Sequence, residues 1–392
     1  MWREPQVTIE FEGDFDSENG HLAIARGSID GEGQSVALGG DVSLYDCKWT
    51  SQLGGELTMR RHDWVALLRP WIGDDAELKG AHSRPVSSRG PVILGADSNS
   101  ESTHWPPAQL ESAGAIAWDE GQVYGIPFGP GELQARLQNQ VLDLGTFRLA
   151  LGDGAVRIAS RISFQQATPM LYVDEGRVLE DVQLTPEACR QWLMYTAPIF
   201  ASATAVRGSV DVDLKASQFP LDDPLKGSGS GTLHVREAAI GPGPMIEQLW
   251  GIVGAVRNLG GGQNGAGQLG QWARLPEQDV AFRMQNGRVY HERLQASVGD
   301  VVWYTTGSVG HDQSLDMVAV VPIQDAWLAN RPNLAALKGV EIRVPIRGTL
   351  TRPQLDGQVV SQLARDLARR AAGELLDQQI QRGLGRLFGG DK

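Results

Sequence analysis

Seven histidines are the side chains of this sequence best suited to binding a metal or moving a proton near neutral pH. None stands at the HxxxH or HxH spacing that would place two imidazoles on one ion. His291-Glu292 begins like the HExxH motif of metalloproteases, but Gln295 occupies the position of the second histidine. The spacing therefore predicts no zinc protease site, and we expect no metal or other cofactor.

The other chemical motifs are equally incomplete. The sequence GSGSG at Gly227–Gly231 has a glycine at the centre, where a nucleophile elbow needs serine. The sequence GGGQNGAGQLG at Gly260–Gly270 is not followed by Gly-Lys-Ser/Thr, so it is not a phosphate-binding P-loop. Acid pairs such as Asp211 and Asp213 carry little information in a chain with 47 acidic residues. We predict that the protein is not an enzyme.

Composition narrows the class of protein. The 392 residues are 41% hydrophobic, which is enough to form a core, and the 48 glycines exceed the usual share of ~7%. Many glycines fit a chain of short strands and tight turns. The net charge of −12 argues against nucleic acid as a partner. Cys47 and Cys189 lie far apart, without CxxC spacing, and predict neither a zinc site nor a disulfide framework.

The stretch 314–355 shows the clearest structural pattern. Apolar residues fall on every second position in two segments that a loop separates, and alternation of this kind predicts strands with one apolar face. The residues of that face are Leu315, Met317, Ala319, Val321, Val340, Ile342, Val344 and Ile346. A sheet with one apolar face must cover that face or use it to bind a ligand.

The sequence predicts a division of the chain into three parts. Residues 1–112 are expected to hold short strands between glycine turns, for example Ser35–Leu38 and Asp41–Tyr45, followed by a long polar loop over about 74–112. Residues 113–360 are expected to form the main sheet. The third part, residues 361–392, is predicted to be helical.

Two helices are expected to pack on the main sheet. The first runs over about 186–200, since Thr185, Pro186 and Glu187 supply an N-cap, a proline at the first helical position and an acid in the first turn. The second runs over about 244–259 and opens with Pro244. A glycine-rich linker at 260–270 follows it.

The predicted C-terminal helix is amphipathic. Its apolar face repeats every three to five residues, and residues 361–392 carry six basic and four acidic residues, a net charge of +2. The basic face consists of Arg365, Arg369, Arg370, Arg382 and Arg386. Such a helix either caps the sheet or lies on an anionic membrane surface.

The termini and hydropathy bear on location. The sequence has no run of about 18 apolar residues that would span a membrane as a helix. Residues 1–5 lack the apolar region of a signal peptide, and strand-like alternation begins almost at once. The abrupt start suggests a fragment of a longer chain.

The C-terminal third resembles the AsmA/TamB-like family of bacterial envelope proteins. The resemblance rests on TGSVG at Thr306–Gly310, on SLDMVAVVPI at Ser314–Ile323 and on VPIRGTLTRPQLD at Val344–Asp356, followed by an amphipathic helix. It implies an AsmA-like C-terminal region in the bridge-like lipid transfer superfamily. The fold so implied is mainly β, an elongated, curled antiparallel sheet shaped as a trough, with a few packed helices.

The resemblance also implies a function. We expect a non-enzymatic envelope protein that binds or conducts phospholipid or another acyl-chain lipid along the groove, in outer-membrane biogenesis or lipid homeostasis. The eight apolar residues at Leu315–Val321 and Val340–Ile346 are the candidate groove lining. We expect the protein on the periplasmic side of the envelope, anchored through a region absent from this chain. The alternative is an envelope assembly module that binds protein partners through sheet edges and carries no lipid.

Overall fold

The computed structural model describes residues 6–31, 34–45, 48–59, 76–91, 106–201, 203, 205–241, 243, 246, 272–299, 301–325 and 338–355. Strands make up 70% of these residues and helices 7%. The strands form one large antiparallel sheet with very few helices. The predicted mainly β, antiparallel fold class is therefore confirmed.

Fourteen strands come first in the chain. They are β1 (Thr8–Asp16), β2 (His21–Asp30), β3 (Gln34–Tyr45), β4 (Lys48–Met59), β5 (Ala76–Lys79), β6 (His82–Pro91), β7 (Glu111–Trp118), β8 (Glu120–Val123), β9 (Ile126–Phe128), β10 (Gly131–Gln138), β11 (Val141–Leu151), β12 (Gly154–Ser163), β13 (Met170–Val173) and β14 (Gly176–Gln183).

Short helical turns separate these strands from the next ten: Pro186–Ala188 (α), Cys189–Leu193 (π), Met194–Thr196 (α) and Pro198–Phe200 (3-10). The strands are β15 (Val206–Leu214), β16 (Ser217–Pro220), β17 (Gly229–Ile240), β18 (Ala273–Leu275), β19 (Gln278–Gln285), β20 (Arg288–Val298), β21 (Val301–Gly310), β22 (Leu315–Pro322), β23 (Glu341–Gly348) and β24 (Pro353–Leu355). A further 3-10 turn, Pro224–Lys226, lies between β16 and β17.

The chain divides into two compact units. The first unit contains Met1–Glu187, Val210–Thr232 and Met284–Gly287. The second unit contains Ala188–Ser209, Leu233–Arg283 and Arg288–Lys392. The division of the chain into three parts, with boundaries expected at residues 112 and 360, stays a prediction.

Two expectations for the N-terminal part are wrong. The polar loop expected over about 74–112 contains β5 and β6, and β6 pairs with β4 over ten residues, from Thr50↔Pro91 to Met59↔His82. Backbone hydrogen bonds hold this strand although most of its side chains are polar. The glycine turn expected after Leu38 is also wrong, because β3 continues through it. Gly40 has φ +135°, and a side chain there would collide with the Gln52 carbonyl, so glycine here serves close strand approach.

The first predicted helix is present but broken into turns. Pro186–Thr196 is helical, and Ala197 then leaves helical geometry at φ −137° and ψ 80°. A residue before proline is sterically disfavoured in the α region, and Pro198 follows. The turns from Cys189 to Phe200 are called here the helical segment. The second expected helix (apart from Ile246), the linker at 260–270 and the C-terminal helix lie outside the described residues.

Candidate functional site

A continuous row of same-face residues crosses ten strands of the first unit. Residues directly opposite each other on antiparallel strands project from the same face of a sheet. Ten residues are paired in this way, one on each of β2, β3, β4, β6, β7, β10, β11, β12, β13 and β16. We call them the apolar row: Ile24, Gly40, Leu53, Ser88, Ser112, Leu137, Leu142, Ile162, Leu171 and Phe219.

Every member of the apolar row is half-buried. Seven of the ten are large apolar residues, and Gly40 adds no side chain. The two polar members are hydrogen-bonded to each other, since the Ser112 hydroxyl donates to the Ser88 hydroxyl at 3.2 Å. The row therefore presents partly accessible apolar surface with its hydroxyls already paired.

An aromatic cluster closes part of this face. Trp118 is only 3% exposed and packs against Phe128 and Phe147, with ring centroids 6.4 Å and 5.9 Å away. Its opposite residue is Gly131, where a Cβ would collide with the indole ring. A small core beside it contains Ile126, Leu151 and Val182. The apolar side chains around Trp118 are thus buried, whereas those of the apolar row are only half-buried.

The opposite face of the same strands is polar. Gln52, Arg89 and Glu111 are successive cross-strand neighbours, and all three are exposed. These three residues help to line a depression of about 470 Å³ over β3, β4, β6, β7 and β10, to which row members such as Leu53 and Leu137 also contribute. Exposed polar residues therefore alternate with the half-buried row along these strands.

The candidate groove residues predicted from the sequence lie in the second unit, on β22, β23 and immediately before β23. Seven of them are buried, with exposed fractions of 0–4%, and Val340 is half-buried. The structure does bring them together, since Met317 is opposite Ile346, Ala319 opposite Val344 and Val321 opposite Ile342. Their role as a lipid lining stays a prediction, but the surface they form is enclosed.

The second unit thus contains a row that contrasts with the apolar row. Leu294, Thr305, Ala319 and Val344 are successive same-face partners on β20 to β23, and their exposed fractions are 1%, 3%, 0% and 0%. We call these four residues the sealed row. Met194–Thr196 of the helical segment contacts β20 and β21. The sheet face is thus covered there by the chain itself.

Buried ionisable groups are few. Among the described residues, Asp211 in the first unit and His291 in the second are the only buried carboxylate and imidazole. Asp211 accepts a hydrogen bond from the Asp181 amide at 2.6 Å. His291 Nε2 lies 3.2 Å from the Thr305 hydroxyl, while Nδ1 has no hydrogen-bond partner. Burial lowers the pKa of His291 to about 4, because the charged imidazolium loses its hydration.

In the part of the chain that the structure describes, no group of three His, Cys, Asp or Glu side chains is placed to hold a metal ion. Over the same residues, no helix has the length and apolar composition needed to cross a membrane. The arginines proposed for the C-terminal helix (Arg365, Arg369, Arg370, Arg382 and Arg386) lie outside those residues.

Comparison with known proteins identifies no relative. No family model, no curated protein and no solved structure matches this chain. The resemblance to AsmA/TamB-like proteins therefore stays a prediction that rests on the C-terminal motifs.

Sequence reasoning missed the apolar row, although a signal for it was present. In β10, GELQARLQ alternates Leu133, Ala135 and Leu137 with polar residues, and the burial alternates with it. In β6 the corresponding face holds Arg84, Val86 and Ser88, which gives no apolar alternation. The row becomes visible only when the pairing of strands is known.

Proposed function

We propose that this protein is a non-enzymatic lipid-binding protein of the bacterial envelope, and that acyl chains lie along the apolar row. The observation that carries this proposal is the half-burial of all ten row members on one face. Ten strands at a spacing of ~4.8 Å extend over roughly 40 Å, which is long enough for an extended acyl chain.

The physical basis of binding is the removal of hydrocarbon from water. Each methylene that leaves water for an apolar surface contributes about 0.8 kcal/mol at full burial. Leu53, Leu137 and Leu142 offer aliphatic contacts, and the Ser88–Ser112 hydrogen bond avoids an unpaired hydroxyl beneath the chain. The headgroup remains in water at the rim of the sheet, so the site selects for the acyl chain.

The cargo class follows from this chemistry together with the resemblance. A phospholipid or a lipopolysaccharide-like lipid supplies acyl chains with a hydrated headgroup. We place this activity on the periplasmic side of the envelope, in outer-membrane biogenesis or lipid homeostasis. Binding requires no proton transfer or metal, so the mechanism is one of desolvation and release.

The test is native mass spectrometry of protein purified without detergent from bacteria. We expect co-purified phospholipid, and we expect Leu53→Glu to reduce the bound fraction strongly, since it places a charge in the middle of the row. Gln52→Glu is the matched control: it is the adjacent residue on β4, it is exposed on the polar face, and it should leave lipid binding unchanged.

Two results would contradict the proposal. One is a folded, lipid-free wild-type protein that also fails to take up phospholipid from vesicles, which would favour the assembly module. The other is equal lipid occupancy in the two variants, which would show that the lipid sits elsewhere.

A further inference from the structure

Strand β1 is the most exposed element of the described chain. All nine residues from Thr8 to Asp16 are exposed. The exposed fractions of Ile9, Phe11 and Phe15 are 67%, 68% and 59%, and that of the preceding Val7 is 50%. Isolated apolar residues on a surface are ordinary, but three on one face of one strand, with Val7 just before them, form a patch.

One edge of β1 pairs with β2 through nine residue pairs, from Thr8↔Asp30 to Asp16↔His21. No described strand pairs with its other edge, which we call the β1 edge. An unpaired edge presents a row of backbone N–H and C=O groups that another strand can join. Natural edges are protected by shortness, proline, charged residues or β-bulges. The nine-residue sequence TIEFEGDFD has no proline or lysine; its protection is limited to acidic residues and a register shift at Glu12/Gly13.

The two faces of β1 differ sharply in chemistry. The apolar residues Ile9, Phe11 and Phe15 project with their β2 partners on the face of the apolar row, since Gly13 is opposite Ile24. The alternate positions carry Glu10, Glu12 and Asp14. No described side chain forms a hydrogen bond or ion pair with these three carboxylates.

We propose that the β1 edge binds an extended segment of a partner protein in which apolar residues alternate with lysine or arginine. The added strand completes the backbone ladder, covers Ile9 and Phe11 with its apolar side chains, and sets its cations beside Glu10 and Glu12. Opposite charges directly across two strands are stabilising, and strand addition to an exposed edge is a general mode of peptide recognition.

The charge pattern decides between this partner and a second copy of the chain. Two β1 strands that paired with their apolar sides together would place Glu10, Glu12 and Asp14 of one copy beside the same acids of the other. Like charges directly opposite each other destabilise a strand pair. The acidic face therefore disfavours self-association and favours a basic partner.

The first experiment measures binding of a labelled nine-residue peptide in which lysine alternates with valine and isoleucine, by fluorescence anisotropy. We expect the wild-type chain to bind it, and to bind a peptide with glutamate in place of lysine at least about tenfold more weakly. The double variant E10K/E12K should reverse this preference. Both substituted residues are exposed, so folding should be unaffected, which far-UV circular dichroism checks.

The matched control is E277K/E292K, which changes two exposed carboxylates of the second unit by the same net charge. It should retain the wild-type preference. Hydrogen exchange of the wild-type complex should show new amide protection within Thr8–Asp16. A preference for the basic peptide that E10K/E12K leaves intact, or that the control loses equally, would overturn the proposal, as would the absence of new protection in β1.

Two further measurements assign the edge to other occupants if the proposal is wrong. A wild-type dimer in sedimentation that Ile9→Lys converts to monomer would identify a second copy. Flotation with phosphatidylcholine vesicles that Ile9→Lys abolishes, and E10K/E12K does not, would identify a lipid surface. We expect neither result. The inference is independent of lipid binding, because Leu53→Glu should leave peptide binding unchanged.

Discussion

The apolar row of the first unit and the sealed row of the second arise from the same pattern and differ in exposure. Both consist of cross-strand partners on antiparallel strands. Leu137 and Leu142 are half-buried, whereas Ala319 and Val344 have no exposed surface. Strand pairing alone buries the side chains on a sheet face only partly, and their complete burial needs another layer packed on that face. The helical segment supplies one over β20 and β21.

This contrast changes where a ligand is expected. Leu315, Met317 and the other groove candidates have the more regular alternation, yet they belong to the enclosed face. Leu53 and Ile162 come from less regular strands and keep accessible surface. Alternation alone therefore does not distinguish an enclosed face from an accessible one, since β10 alternates regularly and its Leu137 is half-buried.

The largest expected difference between the rows comes from a buried charge. Ile342→Asp places a carboxylate where the exposed fraction is 0%, and should lower the free energy of unfolding by at least about 4 kcal/mol, since the ion loses its hydration. Leu142→Asp, on the half-buried row, should cost about 1–2 kcal/mol because water still reaches it. Urea denaturation monitored by tryptophan fluorescence measures both. Equal losses would mean that the two faces are equally covered.

Truncation of a leucine to alanine should also destabilise the sealed row more than the apolar row, with smaller losses of unfolding free energy. Leu294→Ala removes a side chain that is 1% exposed and should cost about 2–5 kcal/mol, because the cavity cannot be filled by water. Leu53→Ala should cost about 1 kcal/mol, since a half-buried residue loses less contact. Thermal unfolding provides the comparison. A larger loss for Leu53→Ala would contradict the assignment of the second unit as the sealed one.

The second unit should also be the acid-sensitive one. The pKa of His291 is lowered from 6.5 to about 4 in the folded chain, so the unfolded chain takes up a proton first as the pH falls. The stabilisation from neutral His291 is complete above pH 6.5 and is lost between pH 6.5 and 4. The loss amounts to about 3 kcal/mol at 1.36 kcal/mol per pKa unit.

His291→Gln tests this, because glutamine can still hydrogen-bond with the Thr305 hydroxyl but does not titrate. The variant should have a lower dependence of unfolding free energy on pH over that window. His311→Gln, which changes an exposed histidine of the same unit, is the control and should retain the wild-type dependence. An unchanged pH profile in His291→Gln would show that the buried imidazole does not control acid stability.

The smallest expected effect concerns the polar interruption of the apolar row. Replacing both Ser88 and Ser112 by valine removes the donor and the acceptor of one hydrogen bond together, so stability should change by less than about 1 kcal/mol. The row becomes continuously apolar, and the amount of co-purified lipid should rise. Native mass spectrometry measures this. A fall in bound lipid would show that the hydroxyls contact the ligand directly.

The sequence was sufficient for the fold class and for local elements with strong signals. Apolar residues on every second position from Leu315 to Val321 predicted β22, and Thr185-Pro186-Glu187 predicted helical structure close to its start. The break at Ala197 follows from the proline after it, which a helical stripe does not reveal. Such local patterns report local geometry well.

Features that depend on distant residues could not be predicted. Strand β6 exists because β4 offers it ten backbone partners, although its own side chains are mostly polar. The sequence around Gly40 predicted a turn, but Gly40 lies within β3 and has no side chain that would collide with β4. Whether an apolar face is covered is likewise decided by other segments. The sequence therefore could not show that the groove candidates on β22 and β23 lie on an enclosed face.

The most direct test of this account is photolabelling with a fatty acid that carries a diazirine on its acyl chain, followed by mapping of the labelled peptides by mass spectrometry. We predict labels on β3, β4, β10, β11 and β12, around Leu53, Leu137 and Leu142, and none on β22 or β23. Labels concentrated on β22 and β23, or a labelling pattern unaffected by Leu53→Glu, would contradict the claim that the apolar row of the first unit is the accessible lipid-binding surface.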